Sequence, residues 1–193
     1  RVSSSAASDV YKRQCMLSSV QMSEQSVFLI TGASKGLGRS ICEILANKGY
    51  IVVGLARQSS ELAELDTFLK KYNEKSCAIA CDLSVPEMVN NTAGEIVKRF
   101  PAIHGIIHNA GIIGPVGNIF TVDEAKWNET LVVNLVSVQQ LTRVLYPAMV
   151  NAGRCRVTTI SSGAAVNSLE SWSAYCTSTV SYTHLRAHET VGN

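Results

Sequence analysis

The residues able to do chemistry in this chain of 193 residues fall into two groups. The first is a glycine-rich turn, Thr31-Gly32-Ala33-Ser34-Lys35-Gly36-Leu37-Gly38. Glycines there let the backbone turn through conformations closed to other residues. They also let N–H groups approach a pyrophosphate with no side chain between. The second group is a hydroxyl and a phenol, Ser162 and Tyr175, thirteen residues apart and far downstream. Singly, Ser162 would be a turn hydroxyl and Tyr175 a half-buried aromatic; in this order they read with the turn as one active site.

The elements around these residues must hold them together. Val27-Phe28-Leu29-Ile30 is an apolar, β-favouring run before the turn, and a helical pattern opens at Arg39 and stops at Gly49. Ile51–Ala56 reads as the second strand of a βαβ unit. At its end, where an NAD-binding protein would place an acid on the ribose 2′-hydroxyl, stands Arg57, and Lys35 lies in the turn itself. Two cations where an acid is expected favour a 2′-phosphate, hence NADP over NAD. Cys77–Ala80 is the third strand, and Ser84-Val85-Pro86-Glu87 predicts a capping box for a helix running to about Phe100. Ile103–His108 is the fourth strand, ending in Asn109-Ala110-Gly111. Thr121-Val122-Asp123-Glu124 predicts a second capping box, opening one long helix through Met149; Arg156–Ile160 is the fifth strand. Strands separated by helices imply parallel pairing with helices on both faces, an α/β doubly wound sheet (Rossmann fold).

The turn at Thr31–Gly38, Asp82-Leu83, Asn109-Ala110-Gly111, Asn134, Ser162 and Tyr175, in this order and spacing, resemble the short-chain dehydrogenase/reductase family. The stretches His108–Val116, Ser161–Ala165 and Ser171–Cys176 are similar to its sepiapterin reductase and benzil reductase branch. The resemblance implies reduction of a small-molecule carbonyl, with hydride leaving a nicotinamide while a proton reaches the carbonyl oxygen. Tyr175 would be the acid, Ser162 the donor at that oxygen, and Asn134 the holder of a water in the proton relay. It places Asp82 and Leu83 beside the adenine, and Ile112–Phe120 and Ala164–Ser171 along the substrate pocket. Gly32, Ser34, Lys35, Gly36, Leu37, Gly38, Arg57, Asp82, Leu83, Asn109, Ala110 and Gly111 are the expected cofactor-binding set. Family members usually form homo-oligomers through the long helix and the tyrosine helix.

One member is missing. A free tyrosine has a pKa of about 10, and the family lowers it with a lysine four residues on; this chain has Thr179. Val180–Thr190 and Arg1–Gln14 resemble translated sequencing adapter. Residues 1–21 and 180–193 are therefore expected to be non-native flanks, with Met22 as the start and residues 22–179 as one NADP-binding domain. The chain then carries five of the family's seven strands, with strand five as an exposed edge and the tyrosine helix cut short. His184 and His188 share a helical face, but two ligands without a third make no metal site.

The formal charge is +2; removing four cations and two acids in the flanks from the totals of 17 and 15 leaves thirteen of each. A neutral core gives nucleic acid no electrostatic footprint, and no apolar run is long enough to span a membrane. Six cysteines without metal-ligand spacing, and no signal peptide, suggest a reducing, cytoplasmic setting. The residues leave other readings open: a non-catalytic NADP-binding protein, a scaffold that keeps only the fold, or an NADP-dependent alcohol dehydrogenase working oxidatively.

Overall fold

The computed structural model describes residues 25–185. The expected flank 1–21, residues 186–193 and therefore His188 lie outside that range. The elements run β1 (Val27–Thr31), α1 (Gly36–Asn47), β2 (Ile51–Ala56), α2 (Ser60–Tyr72), β3 (Cys77–Ala80), α3 (Pro86–Arg99) and β4 (Gly105–His108). Then come α4 (Glu124–Leu131), a π-helical turn (Val132–Val136), α5 (Ser137–Asn151), β5 (Arg156–Thr159), a short 3-10 turn (Gly163–Ala165) and α6 (Ser173–Leu185).

All strand pairs are parallel, in the order β3-β2-β1-β4-β5, so the chain winds outward from β1 in both directions. The alternation of side chains assigns the two faces. Val27, Leu29, Ile51 and Val53 point to the side covered by Val89 and Ile96 of α3 and Leu141 and Leu145 of α5. Ile30 and Val52 point to the other side, covered by Cys42 of α1 and Leu62, Leu65 and Leu69 of α2. Each fully buried leucine or isoleucine on these faces contributes about 1.5–3 kcal/mol relative to exposure.

Several boundaries differ from the sequence expectation. The first helix opens at Gly36 instead of Arg39, and β4 starts at Gly105 instead of Ile103, whose N–H is taken by Ala148 O at 2.9 Å before the ladder begins. Neither expected capping box forms. Ser84 turns back, its hydroxyl donating to Asp82 Oδ1 at 2.7 Å, so Val85 caps α3 with Pro86 at its first position. Thr121 Oγ1 donates to Asn118 O at 3.3 Å, and Asp123 caps α4 instead, accepting from Lys126 N–H at 3.0 Å. The single long helix is three pieces, because the π-helical turn inserts between α4 and α5, with Ser137 N–H reaching back five residues to Val132 O. The tyrosine helix is not cut short at 179 but continues to Leu185 with Tyr182 buried.

β5 is an edge among the described strands, with Val157 and Ile160 exposed. Five cysteines of the described residues are free, at 42, 77, 81, 155 and 176. No described helix is long and apolar enough to cross a membrane.

His108, the last residue of β4, is 2% exposed. Thr142 Oγ1 gives its proton to Val138 O at 2.7 Å, so the 3.0 Å contact to His108 Nε2 is donated by the imidazole; Nδ1 is then a bare acceptor with no partner among the described residues. Burial pushes the His108 pKa down to about 4, from an ordinary value near 6.5. The unfolded chain therefore takes the proton first: stability is intact above about pH 6.5 and falls by about 3 kcal/mol by pH 4. Denaturant unfolding of His108→Asn should show a smaller loss between pH 7 and 4.5 than the parent; parallel losses would refute the assignment.

Candidate active site

The turn after β1 is built by clamping it to the end of β4. Thr31 Oγ1 accepts from the N–H groups of Asn109 (3.1 Å) and Ala110 (3.0 Å), and Asn109 Nδ2 donates to Thr31 O (3.1 Å) and Gly32 O (3.3 Å). The clamp leaves no room for side chains. Gly32 has φ +68°, and a Cβ there would lie 2.9 Å from Ala110 Cα; one on Gly38 would lie 2.2 Å from Gly32 O. Lys35 caps α1 with no side-chain hydrogen bond, and the first turn carries no acid. The first-turn N–H groups and the positive end of the helix macrodipole thus remain for an anion.

Beyond this turn opens a cleft of about 710 Å³. Of the twelve residues expected to hold the cofactor, nine line it: Gly32, Ser34, Lys35, Arg57, Asp82, Leu83, Asn109, Ala110 and Gly111. Gly36, Leu37 and Gly38 do not; they form the opening turn of α1 and have only backbone N–H groups to offer. Lys35 and Arg57 share the cleft with Ser59, whose Oγ accepts from Leu62 N–H at 3.3 Å and caps α2. The sequence reading overlooked Ser59, although a serine just before a helix that opens Ser60-Glu61 was a readable signal. The Asp82 carboxyl is held below its ordinary range, mainly by the N–H of Ser84 at 2.9 Å, with the Arg57 guanidinium adding in the same direction.

Ser162, Tyr175 and Asn134 lie outside the lining of this cleft, and Asn134 is joined to it through Ile112. Ser162 Oγ accepts from Ala164 N–H at 3.2 Å, opening the 3-10 turn, and this use of a lone pair leaves its O–H proton to donate. That turn packs on α6, which carries Tyr175. Tyr175 is half-buried, its ring edge-on to Trp172 with centroids 5.9 Å apart. Trp127 Nε1 donates to Ser173 Oγ at 3.1 Å and ties α4 to the start of the same helix.

Asn134 sits in the π-helical turn, 1% exposed. Its Oδ1 accepts from Ile112 N–H at 2.8 Å; its Nδ2 donates to Ile112 O at 2.8 Å and to Ser178 Oγ at 2.9 Å. Both amide protons are committed within the protein. The Asn134 backbone carbonyl accepts from the Tyr182 hydroxyl. Burial, with Tyr175 nearby, pushes the Tyr182 phenol up to about 12, so it remains a donor. Thr179 is buried, its Oγ1 donating to Tyr175 O at 3.0 Å and Cys176 O at 3.3 Å. Ser171 is the one non-glycine among the described residues with positive φ (+68°), and its carbonyl accepts from Gly117 N–H at 2.9 Å. This bond joins the two segments expected along the substrate pocket.

The family model for short chain dehydrogenase matches residues 26–188. The chain belongs to the short-chain dehydrogenase family. Among curated relatives, an uncharacterized oxidoreductase of Saccharomyces cerevisiae is 28% identical over 160 residues, 82% of this chain and 61% of that protein. The short chain dehydrogenase pigC of Monascus ruber is 31% identical over 163 residues, 81% of this chain and 54% of that protein. The chain thus spans only 54–61% of these relatives' length. Among solved structures, a metagenomic short-chain oxidoreductase in complex with NADP superposes with a TM-score of 0.77 at 30% identity, over 84% of this chain and 75% of that one.

Proposed function

We propose that the protein is an NADPH-dependent carbonyl reductase acting on small ketones or diketones, nearest in kind to sepiapterin and benzil reductases. The observation that carries this reading is the meeting of Lys35 and Arg57 in one cleft with the uncapped start of α1. The donor set fits a dinucleotide with a 2′-phosphate: backbone N–H groups for the pyrophosphate, two cations and the capped start of α2 for the extra phosphate, and Asp82 with Leu83 for the adenine. NADPH, which is also the ligand class of the NADP-bound metagenomic relative, supplies the hydride when bound. Ser162 donates a hydrogen bond to the carbonyl oxygen of the substrate, and Tyr175 passes its phenolic proton to that oxygen as it becomes an alkoxide. Asn134, in this reading, acts through its hydrogen bonds to Ile112 and Ser178 and holds the pieces of the site in register.

The native part of this chain, we further propose, is residues 22–179, belonging to a cytoplasmic enzyme that pairs with copies of itself. The flanks 1–21 and 180–193 are foreign to it. Supporting this is the resemblance of both flanks to adapter sequence.

The cofactor assignment is tested by binding. Each charge-assisted hydrogen bond to phosphate stabilises by about 1.5–3 kcal/mol, and each 1.4 kcal/mol is tenfold in affinity. The double variant Lys35→Ala/Arg57→Asp should therefore weaken NADPH about 100-fold or more, measured by quenching of tryptophan fluorescence, while NADH changes by less than tenfold. Equal losses for both cofactors would reject the 2′-phosphate site.

A second reading, a non-catalytic NADP-binding protein, is favoured by one observation: Thr179 brings no cation to Tyr175, and its hydroxyl is spent on its own helix.

A further inference from the structure

Ser178 is fully buried, and its position in the fold is more consequential than that of an ordinary helix serine. Its Oγ accepts from Asn134 Nδ2 at 2.9 Å and donates to Tyr175 O, also at 2.9 Å. Donor and acceptor roles here are fixed by the partners. Ile112 presents one N–H and one carbonyl to the Asn134 amide, so the amide can face it in only one sense. The second Nδ2 proton must then go to Ser178, whose own proton is left for the carbonyl of Tyr175. The result is one continuous path: Ile112 at the end of the cleft, Asn134 in the π-helical turn, Ser178 and the backbone of Tyr175. At its near end the path meets the clamp on the glycine turn, since Ala110, two residues before Ile112, donates to Thr31 Oγ1.

The remaining groups on α6 do not duplicate this path. Thr179 Oγ1 bonds only within its own helix, and Tyr182 reaches the backbone of Asn134 and not its side chain. Among the described residues, Ser178 is thus the side chain of α6 through which the Asn134 amide is tied to the tyrosine. A helix free to rotate or slide by about 1 Å would misplace the phenol enough to cost on the order of 100-fold in rate.

We infer that Ser178 is a positioning residue: its hydroxyl couples the Ile112 end of the cofactor cleft, through Asn134, to the placement of Tyr175. The inference rests on the reductase reading only for its catalytic consequence; the coupling itself is a property of this chain.

Two measurements test it. In the chain as it stands, Ser178→Ala should speed amide hydrogen exchange at Ile112 at least tenfold, leaving Val52 and Leu29 in the central strands unchanged, and Ser178→Thr should restore it. Unchanged exchange at Ile112, or equal acceleration in the central strands, overturns the coupling. In a Thr179→Lys background, Ser178→Ala should lower kcat about tenfold with NADPH affinity within twofold of the parent. Ser178→Thr should recover kcat to within threefold, and the double variant with Asn134→Ala should be no slower than Asn134→Ala alone. Full kcat in Ser178→Ala, or additive losses, overturns the positioning role. No turnover in Thr179→Lys itself would instead count against the reductase reading, and the exchange measurement would still decide the coupling.

Discussion

Thr179→Lys is expected to raise NADPH-dependent reduction of benzil by about 100-fold or more, the scale of a positioned acid and its charge partner. Positions 175 and 179 are one helical turn apart on α6 and share a face, so a lysine stem at 179 brings an ammonium to the side of the helix that carries the phenol. That charge would stabilise the phenolate as the proton leaves, which the buried Thr179 hydroxyl, donating to Tyr175 O and Cys176 O, does not do. The substitution also carries a cost, because residue 179 is only 3% exposed and a lysine there must desolvate its stem and reach the cleft. Thr179→Met separates the two effects, having similar length and no charge. Gain of turnover in the lysine variant alone, followed at 340 nm, supports the reductase. No turnover in either while NADPH still binds favours the non-catalytic reading, and equal turnover in both would refute the role of the charge.

Gly38→Ala should abolish tight NADPH binding, with a loss above about 100-fold, and destabilise the chain by about 3 kcal/mol, the upper end of the ordinary overpacking range. The added carbon would lie 2.2 Å from Gly32 O and 2.6 Å from Asn109 Nδ2. The nearer atom is backbone and cannot swing aside, so the turn itself must open, breaking the Asn109 clamp on Thr31 and Gly32. Gly94→Ala provides the contrast. It lies within α3 with nothing inside 4 Å of the new carbon, and it should stabilise by about 0.5–1 kcal/mol through helix propensity alone. Titration calorimetry and denaturant unfolding of both variants check the pair. Wild-type affinity in Gly38→Ala would mean that the turn is softer than its contacts indicate.

What could be read from the chain, and what could not, follows the range of the interactions involved. The β1-turn-α1 unit was legible because its determinants are contiguous: an apolar run, then glycines at the points where backbone meets backbone. The parallel order of strands followed from their alternation with helices. The capping boxes at Ser84 and Thr121 misled because the pattern records only that a hydroxyl and an acid are correctly spaced. It does not show that Asp82 and Asn118 offer those hydroxyls nearer acceptors. The strand begun too early at Ile103 failed for a similar reason, since Ala148 on α5 takes its N–H.

The sequence by itself determined the family, the doubly wound sheet and nine of the residues that line the cleft beyond the glycine turn, because each rests on short segments at strand ends. The tertiary structure alone decided the break of the long helix into a π-helical turn, the commitment of the Asn134 amide to Ile112 and Ser178, and the burial of His108 under Thr142. The Asn134 and His108 bonds join residues 22 to 44 positions apart, and a hydrogen bond across such a span depends on how helices seat on the sheet, which no local pattern encodes.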